Sequence, residues 1–273
     1  MSGGYDSGFL RAGLELPSPS VKTILLDYTH FSVRFRPDRK LAAIVGVNIN
    51  GRELEALARE GTWHFDSRVP KDQQAGPDVY KNNAFDRGHL VRRLDPVWGD
   101  DATAKTANQD TFVFTNAAPQ IDDFNQGKEL WVGLEDHVLG HADTYDAKLS
   151  VFTGPVFRDD DPPYRGVHVP RKFWKIAAWT NDAELGAAGF VVDQTSLLDK
   201  VELEKATRER LLVDEPPPLG PFRTFQIPIQ DIAELTGLPL DGLVDADRLA
   251  RGQRALGEKP RAVFLESAAQ IRL

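Results

Sequence analysis

A chain of 273 residues with 41% hydrophobic and 27% charged side chains can build a buried core and a charged surface, which excludes a disordered or fibrous protein. The absence of cysteine excludes disulfides and thiolate chemistry, and no apolar run is long enough for a membrane-spanning helix. A formal net charge of −8 excludes coating of nucleic acid by bulk charge, so any recognition of phosphate has to be focused on a few arginines, lysines and a cation.

The first residues, Met1-Ser2-Gly3-Gly4-Tyr5-Asp6, lack the basic stretch and apolar run of a secretory signal, and a cytoplasmic location is expected. Residues 1–24 read as an N-terminal arm interrupted by Gly3-Gly4, Pro17 and Pro19. From 29 to 36 the chain alternates, with Phe31, Val33 and Phe35 on one side and His30, Ser32, Arg34 and Arg36 on the other, which predicts a half-buried strand. Pro37-Asp38-Arg39-Lys40 is turn chemistry. Residues 41–49 are apolar and β-branched, a central strand stopped by Asn50-Gly51.

A short helix is expected over 53–60, a polar loop around Gly76-Pro77, an extended segment over 85–91, a helix over 102–108 and a strand over 111–115. Trp131, Leu134, Val138, Ala142 and Tyr145 recur at helical spacing and predict a long helix over 127–145. Strands follow over 149–153, 173–180 and 188–192, with Asp159-Asp160-Asp161-Pro162-Pro163 as a loop. A charged amphipathic helix is expected over 197–212, then a linker at Pro216-Pro217-Pro218, a last core strand over 222–227, and a helix over 229–236 stopped by Gly237. The strands and helices keep no βαβ rhythm, so the class is α+β: a domain over 25–240, with residues 241–273 as a peripheral extension packed on it.

Chemistry concentrates in Asp86-Arg87-Gly88-His89. An imidazole can accept a proton near neutral pH, a guanidinium forks onto phosphate oxygens, and glycine lets backbone approach a ligand. Strand, connector, strand and helix in succession can set His89 opposite Asn125 at a helix start, where unpaired N–H groups favour anions. Such a site could hold a phosphate and a metal for phosphodiester cleavage. Arg92-Arg93 and Arg171-Lys172 with Lys175 are the candidate rim facing nucleic acid. His137 and His141 have the spacing of a zinc pair, but Val138-Leu139-Gly140 between them lacks the glutamate of a zinc-protease helix.

The ordered set Asp86-Arg87-Gly88-His89, Thr115-Asn116-Ala117-Ala118-Pro119-Gln120, Phe124-Asn125-Gln126-Gly127 and Leu134-Glu135 resembles the DNA/RNA non-specific endonuclease family. Phe152-Thr153-Gly154-Pro155-Val156-Phe157, Val169-Pro170-Arg171-Lys172-Phe173-Trp174-Lys175 and Thr236-Gly237-Leu238 extend the likeness over residues 25–240. The resemblance implies a ββα-metal fold with a mostly antiparallel sheet, and one Mg2+ or Mn2+ per site. It implies hydrolysis of DNA and RNA to 5′-phosphate ends. It assigns His89 as general base and Asn125 as the direct metal ligand, with Glu135 holding the metal's hydration water. A helix from Asn125 to Glu135 rises about 15 Å, so Glu129 is a rival for that role. Arg87 and Arg59 would meet phosphate charge, with Arg68 the alternative to Arg59. Asp86 would orient the site, and Asn116 would fix a loop. Leu139 stands where family members often carry an arginine. By the same resemblance, a homodimer and a protein inhibitor join nucleic acid as candidate partners. The alternative to an active nuclease is a catalytically impaired nucleic-acid-binding or inhibitor-regulated module of the same fold.

Overall fold

The computed structural model describes residues 3–121, 147–181, 184–199, 223–265 and 270–271. The expected helix over 127–145, with Asn125, Glu129, Glu135, His137 and His141, lies outside the described residues, as do most of the 197–212 segment and the proline linker.

The frame is an eight-stranded sheet built from β1 (Ile24–Tyr28), β2 (Phe31–Arg36), β3 (Leu41–Asn50), β6 (Lys148–Val156), β9 (Lys172–Asn181), β10 (Glu184–Asp193), β11 (Arg223–Ile227) and β12 (Val263–Leu265), hydrogen-bonded in that order. Every pairing is antiparallel. Two further strands, β4 (Phe85–His89) and β5 (Ala117–Ile121), pair apart from the main sheet, and β7 (Pro163–Tyr164) with β8 (Val167–His168) closes a small hairpin. Helices that lie wholly within the described residues include α1 (Pro77–Tyr80), α2 (Asp101–Asp110), α3 (Ile229–Thr236), α4 (Asp241–Asp245) and α5 (Arg248–Ala255). The class is α+β, as expected.

All ten residues of β3 are buried, because the sheet is covered on both faces. Successive side chains of a strand point to opposite faces, and here they feed two cores. Val45, Val47 and Ile49 join Leu149, Val151, Phe173 and Phe190 in one core, which also takes Phe85, Leu90, Val91, Ala118 and Ile121 from the β4–β5 region. Ile44 joins Phe152, Trp174 and Ile176 in the other, roofed by Leu10, Leu14 and Leu16 of the arm and by Ile229, Ile232, Leu240 and Leu243. The sheet is thus the middle layer, with the chemistry-bearing β4–β5 pair on one face.

Several expectations need correction. Residues 111–115 form no strand: the chain turns, makes one bridge between His64 and Val113, and enters a short 3-10 turn over Phe114–Asn116 before β5. Phe112, Val113 and Phe114 are all buried, so the aromatic and β-branched run reports burial between layers rather than a pleated ladder. The helix over 53–60 reduces to a 3-10 turn at Gly51–Glu53. The backbone beyond it pairs outward instead, Glu55 N donating to Val97 O and the Arg93 guanidinium to the Leu57 and Ala58 carbonyls. Tertiary bonds of this kind outcompete the marginal stability of so short a helix. Pro77 opens α1 where a loop was expected, and β1 adds an edge strand where no element was expected. Strand 222–227 is not last in the sheet: β12 pairs with it, drawn from the stretch expected at the periphery. The helix over 229–236 is as expected, ending at Gly237 with φ of 67°.

Asp247 explains how the C-terminal helices are held. Its carboxylate, 1% exposed, accepts from Ala250 N at 3.2 Å as the N-cap of α5 and from Ile229 N at 2.7 Å at the start of α3. Removing a cap that also satisfies a buried N–H costs about 2 kcal/mol. Asp247→Ala is therefore expected to lower Tm by about 4–8 °C in calorimetry, with Asp247→Asn, which keeps an acceptor oxygen, falling between; an unchanged Tm in the alanine variant would remove the carboxylate as the tie.

Candidate active site

The β4–β5 pair brings the sequence motifs together. In register, Asp86 faces Gln120, Arg87 faces Pro119, Gly88 faces Ala118 and His89 faces Ala117. The pair is seated by Gln194, which is fully buried: its Oε1 accepts from Ile121 N at 3.2 Å and its Nε2 donates to Pro170 O at 2.7 Å. Gly88 and Gln120 approach closely. A Cβ there would lie 2.1–2.6 Å from the side chain of Gln120, which folds across it. Sequence reasoning noted Gln120 only as part of a motif. Its amide is 1% exposed and neither end has a hydrogen-bond partner among the described residues.

Asn116 is wholly buried and its amide is spent on backbone. Oδ1 accepts from Val91 N at 2.8 Å, and Nδ2 donates to Val91 O and Thr111 O, both at 3.0 Å. Its carbonyl accepts from Leu90 N at 3.0 Å. Asn116 thus clamps the segment leaving His89 and does not itself reach a ligand.

His89 is half-buried, and its Nε2 is enclosed with no hydrogen-bond partner among the described residues. Trp63 and Phe112 pack on its ring at centroid distances of 4.6 and 5.2 Å. Burial first, and then the charges of Arg59, Arg93 and Arg87, push its pKa from 6.5 down to about 3. The ring is therefore neutral at physiological pH and can accept a proton.

The arginines divide by role. Arg59 and Arg87 are exposed, with Arg87 5.8 Å from the Trp63 ring centre. Arg59 makes no ion pair among the described residues. Arg68 is consumed: it pairs with Asp66 at 2.6 Å and also donates to Asp27 O, while Asp66 accepts from the buried Tyr28 hydroxyl. Geometry favours Arg59 over Arg68 as the cation beside His89. Arg93 donates to Leu57 O, Ala58 O and Asn108 Oδ1 at 3.0–3.2 Å, so it anchors the loop carrying Arg59 instead of standing free at a rim. Arg92 is half-buried.

Among the other rim candidates, Lys175 is 1% exposed inside the sheet and cannot face a polymer. Arg171 pairs with Asp199 at 2.6 Å and Lys172 with Asp193 at 3.5 Å, and both line a cavity of about 400 Å³ with Arg158 and Thr195. Among the described residues no cluster of three His, Cys, Asp or Glu side chains is gathered for a metal. The Asp86 carboxylate and the Gln120 amide, which has no partner among the described residues, stand as register partners on β4 and β5. Oxygen donors of this kind fit a hydrated hard cation such as magnesium or manganese better than zinc. The aromatic pair around His89, missed from the sequence, was visible only as Trp63 and Phe112, far apart in the chain.

A family model described as DNA/RNA non-specific endonuclease matches residues 14–247. The chain is 39% identical over 269 residues to the uncharacterized protein y4fB of Sinorhizobium fredii, covering 89% of this chain and 40% of that one. It is 30% identical over 188 residues to mitochondrial endonuclease G of Bos taurus, covering 64% of this chain and 54% of that one. It thus spans about half or less of the length of these relatives. A chain in the crystal structure of an EndoG/EndoGI complex shares the fold, with a TM-score of 0.59 and 17% identity, covering 85% of this chain and 89% of that one. The chain belongs to the DNA/RNA non-specific endonuclease family, and its fold is of the ββα-metal nuclease kind.

The neutrality of His89 has two measurable consequences. In histidine NMR titrations, assigned by His89→Gln, its imidazole is expected to stay neutral at pH 5, where exposed histidines are protonated. A depressed pKa also means that the unfolded chain binds this proton first, so the histidine's contribution to stability is complete above pH 6.5 and is lost as pH falls from 6.5 toward about 3. A His89 titrating near 6.5 would show that water reaches the ring.

Proposed function

We propose that this member of the DNA/RNA non-specific endonuclease family is a sugar-nonspecific endonuclease that uses one Mg2+ or Mn2+ per site to hydrolyse phosphodiester bonds in DNA and RNA, leaving 5′-phosphate ends. The observation that carries the reading is a neutral histidine with an unpartnered Nε2, ringed by Arg59, Arg87 and Arg93. A base alone could serve many reactions. A base set among arginines is suited to a reacting centre that is itself an anion.

His89 takes a proton from water as the oxygen attacks phosphorus, and the bond to the 3′ oxygen breaks. Arg59 and Arg87 meet the charge that builds on the phosphoryl oxygens. Arg93 keeps the Arg59 loop in place through Leu57 and Ala58. Asn116 sets the backbone exit of His89. Asn125 would hold the cation directly, with Glu135 or Glu129 and Asp86 supporting it through hydration water. When bound, the cation supplies Lewis-acid stabilisation of the leaving 3′ oxygen. Contacts of this type address phosphate and not base edges, which accounts for indifference to sequence. Arg92, Arg171 and Lys172 would extend the phosphate track.

No helix among the described residues is long and apolar enough to cross a membrane. The structural neighbour comes from a complex concerned with EndoG inhibition. An inhibitor partner, a homodimer and a cytoplasmic site of action are part of the proposal for this chain.

The direct test is cleavage of supercoiled plasmid and structured RNA with magnesium, manganese, zinc or chelator. Both substrates should be cut with magnesium or manganese, and His89→Ala should lower kcat at least about 1,000-fold with binding retained. Binding without cutting under every metal would replace this reading with the impaired module. Arg59→Ala is expected to lower kcat/KM about 100-fold, whereas Arg68→Ala should lower Tm and leave turnover nearer the wild type, because its charge is committed to Asp66. The reverse ranking would return the phosphate role to Arg68.

A further inference from the structure

The imidazole of His89 is held without a hydrogen bond among the described residues. Its neighbours are rings. Trp63 lies 4.6 Å away at 47°, Phe112 5.2 Å away at 86°, and Trp63 touches Phe112 at 5.6 Å and 73°. The three rings form a closed triangle. Phe112 is its back wall, 2% exposed, and a Cβ at Gly61 would fall 2.2 Å from the Phe112 ring, so glycine is needed for that ring to sit where it does. Trp63 is the outer wall, half-buried, with the Arg87 guanidinium 5.8 Å from its ring centre.

Both walls are mounted on one backbone bridge. His64 N donates to Phe112 O and Phe114 N to His64 O, each at 2.9 Å. The residues next to the bridge, Trp63 and Phe112, are thereby fixed relative to each other, and Phe114 packs on Trp63 at 5.8 Å. A catalytic histidine is more often oriented by a hydrogen bond from its second nitrogen to a carboxylate or carbonyl. Here packing takes that place.

We propose that Trp63 and Phe112 are positioning residues for the hydrolytic step, walls that fix the imidazole of His89 in one orientation and keep bulk water from its Nε2. The proposal rests on the reading of His89 as the base. Trp63 is the tunable member, because it closes the site on its solvent side. Among the described residues, the charged groups facing His89 are Arg59, Arg87 and Arg93, from the loop after β3, from β4 and from the segment after β4. All oppose protonation, so water admitted by loss of the indole raises the His89 pKa toward 6.5 without reaching it.

The experiment compares wild type, Trp63→Phe, Trp63→Leu and Trp63→Ala in magnesium-dependent plasmid cleavage across pH, with Tm and histidine NMR titrations on the same samples. Trp63→Ala should lower kcat about 10- to 100-fold with KM within about twofold, and should move the acid limb of kcat/KM upward. By NMR the His89 pKa should rise by at least about one unit. Trp63→Phe should restore most of both, and Trp63→Leu, which keeps apolar volume without the ring, should restore the pKa more than kcat. Unchanged kcat and pKa in a folded Trp63→Ala, or a loss confined to KM, would overturn the proposal; the latter would make Trp63 a substrate contact. If Trp63→Ala does not fold, Trp63→Leu carries the same test. If the wild type fails to cut, the nuclease reading fails, while the His89 titration still decides whether the walls exclude water.

Discussion

Ala117 stands across from His89, and the pairing of β4 with β5 is what the site is built on. The register partner carries only a methyl group. Instead the ring is closed in by Trp63 and Phe112, brought from other parts of the chain. Pairing of β4 with β5 thus does two things at once: it presents the Asp-Arg-Gly-His run in extended form, and it sets His89 against Trp63 and Phe112. Gly88 adds to the same constraint, because the Gln120 side chain crosses where its Cβ would be.

The pair could not hold this geometry alone. Two isolated strands are marginal in water, and here they borrow rigidity from buried polar ties. Gln194 joins the end of β5 to Pro170 at the approach to β9. Asn116 staples the chain after His89 to the turn at Thr111. Each such amide is expensive to bury unless its hydrogen bonds are made, so each ties position strongly. Gln120 breaks that pattern, with both ends unpartnered among the described residues, and it does so in the register position of Asp86.

Charge is distributed with the same economy. The chain carries a net −8, yet three guanidinium groups surround His89. Arg93 is anchored by backbone carbonyls and Arg68 by Asp66, which leaves Arg59 and Arg87 at the surface beside the base. An acidic protein can in this way present a local field suited to phosphate without attracting polyanions over its whole surface.

The sequence by itself determined the strands whose apolar periodicity is set by burial on known faces, notably β2, β3, β6, β9 and β10, and the helix ending at Gly237. It also determined the family, because the ordered motifs around His89 and Asn116 are local strings whose chemistry survives any folding detail. It could not determine what depends on segments distant in the chain. The run from Thr111 to Thr115 reads as a strand because its side chains are buried, but a strand also needs a partner edge, and only the fold decides that the backbone there bridges His64 and then turns. The 53–60 helix gave way to pairing with Val97 and Arg93 for the same reason. Arg59 and Arg68 are equivalent in a string of letters, and the position of Asp66 separates them. Lys175 reads as one more cation until the sheet buries it. Trp63 and Phe112 are ordinary aromatics until tertiary packing closes them on His89, since exclusion of water is a property of the assembled surroundings and not of any residue.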